Sequence, residues 1–240
     1  MVSVMLALAL LCQPTDAAAT AALEKFKTAY KAKEVADRAA AVTELAKTAH
    51  DKVYAKLGAV LLVDDTTVRI AAAKGLGTAE GEHRKKAVNY LSRAFGPNAG
   101  ETLVVVAMVE AMEAMQEGLG YDVLKGNLKS PDAPTSRASI EAMGQIRDKS
   151  FLVPLIEHAR NLEAAARETM NVGPGGRTVT GGGIPGVGGP VGDPDAPKRS
   201  KLLVPLIHKA LESITKQSFK TVAEWVDWWR KSGADFKVQK

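Results

Sequence analysis

Apolar residues recur along most of this chain at spacings of three and four, with charged residues between them. Leu23, Phe26 and Tyr30 fall at i, i+3 and i+7 and predict one helical face over residues 21–32. The same period predicts helices over residues 35–46 (Val35, Ala39, Val42, Leu45) and 52–62 (Val53, Leu57, Val60, Leu61). Asp64-Asp65-Thr66 then offers an N-cap for a helix over 68–76, and Gly77 a C-terminal stop. Further helices are predicted over 82–95, 101–116, 121–128, 135–146 and 151–170, and after a gap over 200–215 and 221–232.

Two of these stretches stand apart. Residues 103–109 are apolar on every side, and Met108, Met112 and Met115 extend the stripe, which predicts a central, buried helix. Leu-Val-Pro-Leu-Ile occurs twice, at residues 152–156 and 203–207. Each Pro is expected in the first turn of a helix, where its missing N–H is not needed. An echo of this kind in a helical chain points to stacked hairpins. Residues 171–199 break the pattern with clustered Gly and Pro and are expected to form a flexible loop.

Composition supports helix packing on helix. The chain is 46% hydrophobic but only 5% aromatic, so alanine supplies much of the apolar count, and alanine favours helices. The net charge of +5 is spread among interleaved acids and bases, which reads as a solvated surface and not as a stripe for nucleic acid. The densest basic groups, Lys25, Lys27, Lys31 and Lys33, then His83-Arg84-Lys85-Lys86, are diluted by Glu24, Glu34 and Asp37.

The N-terminus reads as an export signal over residues 1–19, the alternative being a buried first helix: an apolar run at 2–11, Pro14, then Ala17, Ala18 and Ala19 as small-residue cleavage positions. That run is too short to span a bilayer, which takes about 20 apolar residues. Cys12, the only cysteine, lies inside it, and Leu11 before it is not the small residue that lipidation requires. Cleavage would leave no thiol, hence no disulfide, thiolate metal site or cysteine nucleophile. The expected organisation is a signal peptide at 1–19, helical repeats at 20–170, the loop at 171–199 and C-terminal capping helices at 200–240.

Candidate chemistry is sparse. No Gly run at 181–183 or 186–189 is followed by Lys-Ser or Lys-Thr, so no phosphate-binding loop forms. His50, His83, His158 and His208 lack the spacing that sets two metal ligands on one helical face. Ser139, Ser150, Ser200 and Ser213 have no Gly-x-Ser-x-Gly context. Of the paired carboxylates, Asp65 is explained as a cap, and Glu110 and Glu113 mark the polar side of their helix. Trp225, Trp228 and Trp229, joined by Val222, share an arc of about 100°. That arc serves either as a lid closing the last hairpin or as a stacking platform for a ligand.

Asp65-Thr-Thr-Val68-Arg69-Ile-Ala-Ala72 followed by Leu76-Gly77 resembles the second helix of a HEAT repeat. The register returns at Asp132, Ala142-Met143-Gly144, Ile146 and Asp148, with Thr135-Ser136 in place of the Val-Arg pair. The segment from Leu211 to Phe219, with Trp225, Trp228 and Trp229 after it, is similar to the closing segment of exported bacterial HEAT-repeat proteins. The resemblance implies an all-α, ARM-type α-solenoid of antiparallel hairpins and a protein-binding role, and it brings no catalytic residues. Iron-binding HEAT-like enzymes of the deoxyhypusine hydroxylase type use His-Glu dipeptides, whereas here the order is reversed, at Glu82-His83 and Glu157-His158.

The expectation is therefore a non-catalytic, exported interaction scaffold, secreted or periplasmic, with a protein partner. It has no nucleic-acid partner, no membrane span after signal cleavage, no cofactor, and no catalytic, cofactor-binding or metal-binding residues. The alternative is an envelope enzyme or lyase-like scaffold acting on a bound small molecule.

Overall fold

The structure, a computed structural model, describes residues 16–116, 118–171, 195–233 and 235–238. The apolar run at 2–11, Cys12 and residues 172–194 of the expected loop lie outside the described residues. Within them the chain is all helical, with no strand. The helices are α1 (Asp16–Ala29), α2 (Val35–Leu45), α3 (Asp51–Val60), α4 (Thr66–Leu76), α5 (His83–Ala94) and α6 (Thr102–Met115). After these come α7 (Leu119–Asn127), α8 (Ala133–Ile146), a 3-10 turn (Lys149–Phe151), α9 (Leu152–Asn171), α10 (Ala196–Thr215) and α11 (Val222–Ser232).

The two predicted N-caps form, and Gly77 ends its helix at φ −64°, without the left-handed turn expected of a glycine stop. Asp65 accepts from the Thr67 amide at 2.9 Å, and Asp132 from the Thr135 amide at 3.0 Å. Thr221 and Glu224 close a reciprocal capping box at the start of α11. Two boundaries differ from expectation. α1 begins at Asp16, so Ala17, Ala18 and Ala19 stand in its first turn, with Ala19 fully buried. α10 begins at Ala196, inside the stretch read as loop, because Pro197 fits a first turn where no N–H is needed.

The second pentapeptide consequently lies in mid-helix. Pro154 stands in the first turn of α9 as expected, but α10 runs through Pro205. That residue removes one backbone hydrogen bond, the one to the Lys201 carbonyl. Both positions are on the exposed side of α10, where water replaces the lost donor.

The chain divides into two compact units, Met1–Leu124 and Lys125–Lys240, with the break inside the stretch expected to be one repeat array. In the first, α2 packs on α4 and α4 on α6, while α3 packs on α5 and, as its hairpin partner, on α4. Val104, Val105, Met108, Val109 and Met112 of α6 are fully buried, so the helix apolar all round is indeed a core helix. Small residues set the spacing. A Cβ on Gly75 would lie 2.8 Å from the Ala46 Cβ, and one on Gly77 2.9 Å from the Ala111 Cα.

In the second unit α10 packs against both α9 and α8, and α9 also against α11. Gly144 of α8 faces the backbone of Ala210, where an added Cβ would stand at 3.1 Å. Phe151, Leu152, Leu155, Leu203 and Ile207 are fully buried, so both pentapeptides contribute core residues.

Candidate functional site

Helices α2 and α4 pack on each other at the surface of the first unit and line an open groove of about 710 Å³. Ala39, Thr43 and Ala46 are spaced i, i+4, i+7 along α2, and Thr67, Ile70, Ala71 and Lys74 line α4 in the same rhythm. Gly75 holds the helices together at its base. Tyr54 of α3 reaches the groove from beneath and is completely buried.

The Tyr54 hydroxyl takes no hydrogen bond of normal geometry. A buried group left in this state costs about 1–3 kcal/mol. Burial pushes its phenol pKa up. The nearby Thr78 hydroxyl, itself donating to the Gly75 carbonyl at 2.8 Å, works against that shift, and the Glu80 and Asp51 charges add to it. At the rim, Lys47 pairs with Glu44 at 2.5 Å, whereas Lys74 has no ion pair among the described residues.

A second feature lies at the turns. Leu62 is 48%, Val63 80% and Leu103 62% exposed, although each is a large aliphatic residue. The turns that carry them are joined: Asn98 donates to the Leu61 carbonyl at 3.2 Å, and Thr66 to Glu101 at 3.0 Å. Asn98 is fully buried and also accepts from Arg69 at 2.8 Å.

The α3–α4 turn is fixed on its other side too. Asp64 accepts from the Tyr30 hydroxyl and from two nitrogens of Arg38, one at 2.9 Å. Burial alone would raise the Asp64 carboxyl, but donation from Arg38 and Tyr30 brings it down to about 2. Burial, then donation to Asp64, pushes the Tyr30 phenol up. Leu62 and Val63 are thus displayed from a rigid turn, not a slack one.

The second unit carries a shallower groove of about 470 Å³ between α9 and α11, rimmed by Arg160, Arg167 and Arg230. Two of these arginines are engaged, Arg167 with Glu163 at 3.2 Å and Arg230 with Asp227 at 3.6 Å. Of the tryptophans, Trp225 is buried, with 1% of its surface exposed, while Trp228 and Trp229 are half-buried. Phe219, Trp225 and Trp228 stack edge-on or tilted on one another, with Phe236 on the far side of Trp228.

The scattered candidates stay apart. His50 caps α3 through the Lys52 amide, and His83 binds Asp51 at 2.7 Å. His208 faces the Phe219 carbonyl at 3.2 Å. His158 is buried with its Nε2 unpaired; burial, then the charges of Arg199 and Lys129, lowers its pKa to about 4. Ser139 donates to the Thr135 carbonyl and Ser213 to that of Gly144. Glu113, read only as polar facing, in fact accepts from the Gly118 and Tyr121 amides and so holds the start of α7.

Among the described residues no group of three or more His, Cys, Asp or Glu gathers as for a metal, and no helix is long and apolar enough to cross a membrane. No family model, curated protein or solved structure matches the chain. The sequence signal missed both the groove and the aliphatic edge. Each depends on residues roughly 30 to 40 positions apart meeting in space, and neither has a local motif.

Proposed function

We propose that the chain is a non-catalytic interaction scaffold, a short HEAT- or ARM-like stack of helical hairpins that binds a protein partner outside the cytoplasm. The observation that carries this reading is the aliphatic edge of Leu62, Val63 and Leu103 on turns held rigid by Asp64 and Asn98. Exposed aliphatics grouped on a rigid frame are characteristic of protein-binding surfaces. Alternation of neighbours, α2 with α4 with α6 and α3 with α5, supports the stacked-hairpin arrangement.

The test is a double variant, Val63→Asp with Leu103→Asp, used beside the unaltered chain to capture partners from an envelope extract. Loss of one specific captured protein, with an unchanged melting temperature, is expected because both positions are exposed. Recovery of the same proteins by both chains contradicts the proposal. N-terminal sequencing of the protein recovered from cells tests export: a start near residues 18–20 supports it, and an uncut N-terminus opposes it.

A second reading, an envelope enzyme or lyase-like scaffold acting on a bound small molecule, is favoured by one observation: the α2–α4 groove with the unpaired Tyr54 hydroxyl beneath it.

A further inference from the structure

We infer that the start of α10, residues 196–202, is an acid-released latch, with His158 of α9 as its trigger and Pro205 as its weak seam. The latch lies in the second unit, and the inference does not depend on the aliphatic edge.

The latch is lightly held. Of residues 196–202 only Ala196 is buried, and Leu202 is 47% exposed, whereas Leu203 and Ile207 beyond it are fully buried. Arg199 ties these turns to the α7–α8 connection by donating to the Ser130 carbonyl at 3.3 Å, and Lys198 pairs with Asp195 beside it. Pro205 cannot donate to the Lys201 carbonyl, so the backbone ladder that joins the latch to the rest of α10 lacks one bond. Segments with few buried apolar contacts open first. Two turns released from their packing do not stay helical in water.

His158 supplies the trigger. Its ring is buried, its Nε2 has no partner, and the charges that act on it are Arg199 on the latch and Lys129 on the α7–α8 connection. Glu157 and Arg160, beside it on α9, and Lys201 of α10 are exposed. On α11, Asp227 and Arg230 pair with each other, and Lys149 of the 3-10 turn lies over Trp229. Among the described residues no carboxylate acts on the ring. A proton on Nε2 therefore meets two cations and no acceptor, and is accommodated when the latch opens and water reaches the ring. Burial, then Arg199 and Lys129, holds the ring down at about 4, so below 6.5 the open state takes up the proton first and is favoured.

Native-state hydrogen exchange of the full chain from pH 7.5 to 4.5, corrected for the intrinsic pH dependence of exchange, tests this directly. Opening at the amides of residues 199–204 is expected to begin rising below pH 6.5 and to reach roughly twentyfold at pH 5, while amides 208–214 stay unchanged. His158→Gln is expected to abolish the rise, whatever its opening at pH 7.5. Pro205→Ala, at an exposed position, restores the missing bond and is expected to lower opening about fivefold across the series. No rise, an equal rise at 208–214, or a rise retained by His158→Gln overturns the inference. So does an onset only below pH 5, where carboxylates titrate, and this outcome is read on the unaltered chain even if His158→Gln does not fold.

Discussion

In the first unit, where the backbone turns left-handed, it does so on glycine, at Gly81 and Gly118; in the second it does so on Arg147 and Lys216, at φ of 57° and 60°. Buried polar atoms without a partner occur in both units, Tyr54 Oη and Arg69 Nε in the first and His158 Nε2 in the second, but the groups that fix the turns of the first are paired. Asp64 is ringed by Tyr30 and Arg38, and Asn98 has partners for both its oxygen and its amide nitrogen. His158 in the second unit is buried with one nitrogen unpaired and two cations acting on it. The first unit fixes its turns through such paired groups, and the second relies on large apolar contacts: two twenty-residue helices packed together and a cluster of aromatics. A display surface needs a rigid frame, and the paired Asp64 and Asn98 supply one to the turns beside the exposed Leu62, Val63 and Leu103.

The largest test of this contrast removes the aromatic anchor. Trp225→Ala is expected to cost the second unit about 3–5 kcal/mol, read by chemical denaturation. Trp229→Ala, at a half-buried position, should cost clearly less. Equal losses would mean that the cluster does not anchor through Trp225. In the first unit, Gly77→Ala should destabilise by about 1–3 kcal/mol, because the new Cβ meets the Ala111 backbone, which cannot rotate away.

Acid separates the units. The folded His158 pKa is lowered, so the unfolded chain takes up its proton first as pH falls below 6.5. Stability is lost between 6.5 and about 4, by roughly 3 kcal/mol, and His158→Gln should flatten that slope. Asp64 acts lower. Its folded pKa is also depressed, so its contribution is present above 3.8 and is lost only as pH falls toward about 2. Its magnitude is about 1 kcal/mol after screening, and Asp64→Asn should remove it. A thermal-melt series against pH that showed one shared transition would contradict the division. The smallest effect is a gain: Lys216→Gly should stabilise by a few tenths of a kcal/mol up to about 1, by relieving the left-handed backbone.

Much of the helix pattern was legible from periodicity and caps, since Asp65 and Asp132 act through neighbours a few residues away, whereas Gly77 is required by Ala111 on another helix. Pro205 was misleading for a physical reason. Proline announces a first turn only when nothing upstream holds the helix, and Pro197 had already begun it. The Tyr30–Asp64 and Arg38–Asp64 bonds join residues 34 and 26 positions apart, and the groove needs α2 beside α4. No window of sequence contains either. The fully buried Trp225 was indistinguishable from Trp229 by spacing alone.

The most direct measurement is hydrogen–deuterium exchange on the chain with and without its captured partner. Slowed exchange confined to residues 61–66 and 98–103, where the two turns carry Leu62, Val63 and Leu103, is the result expected. Protection limited to α9 and α11, or none in the first unit, would contradict the scaffold reading.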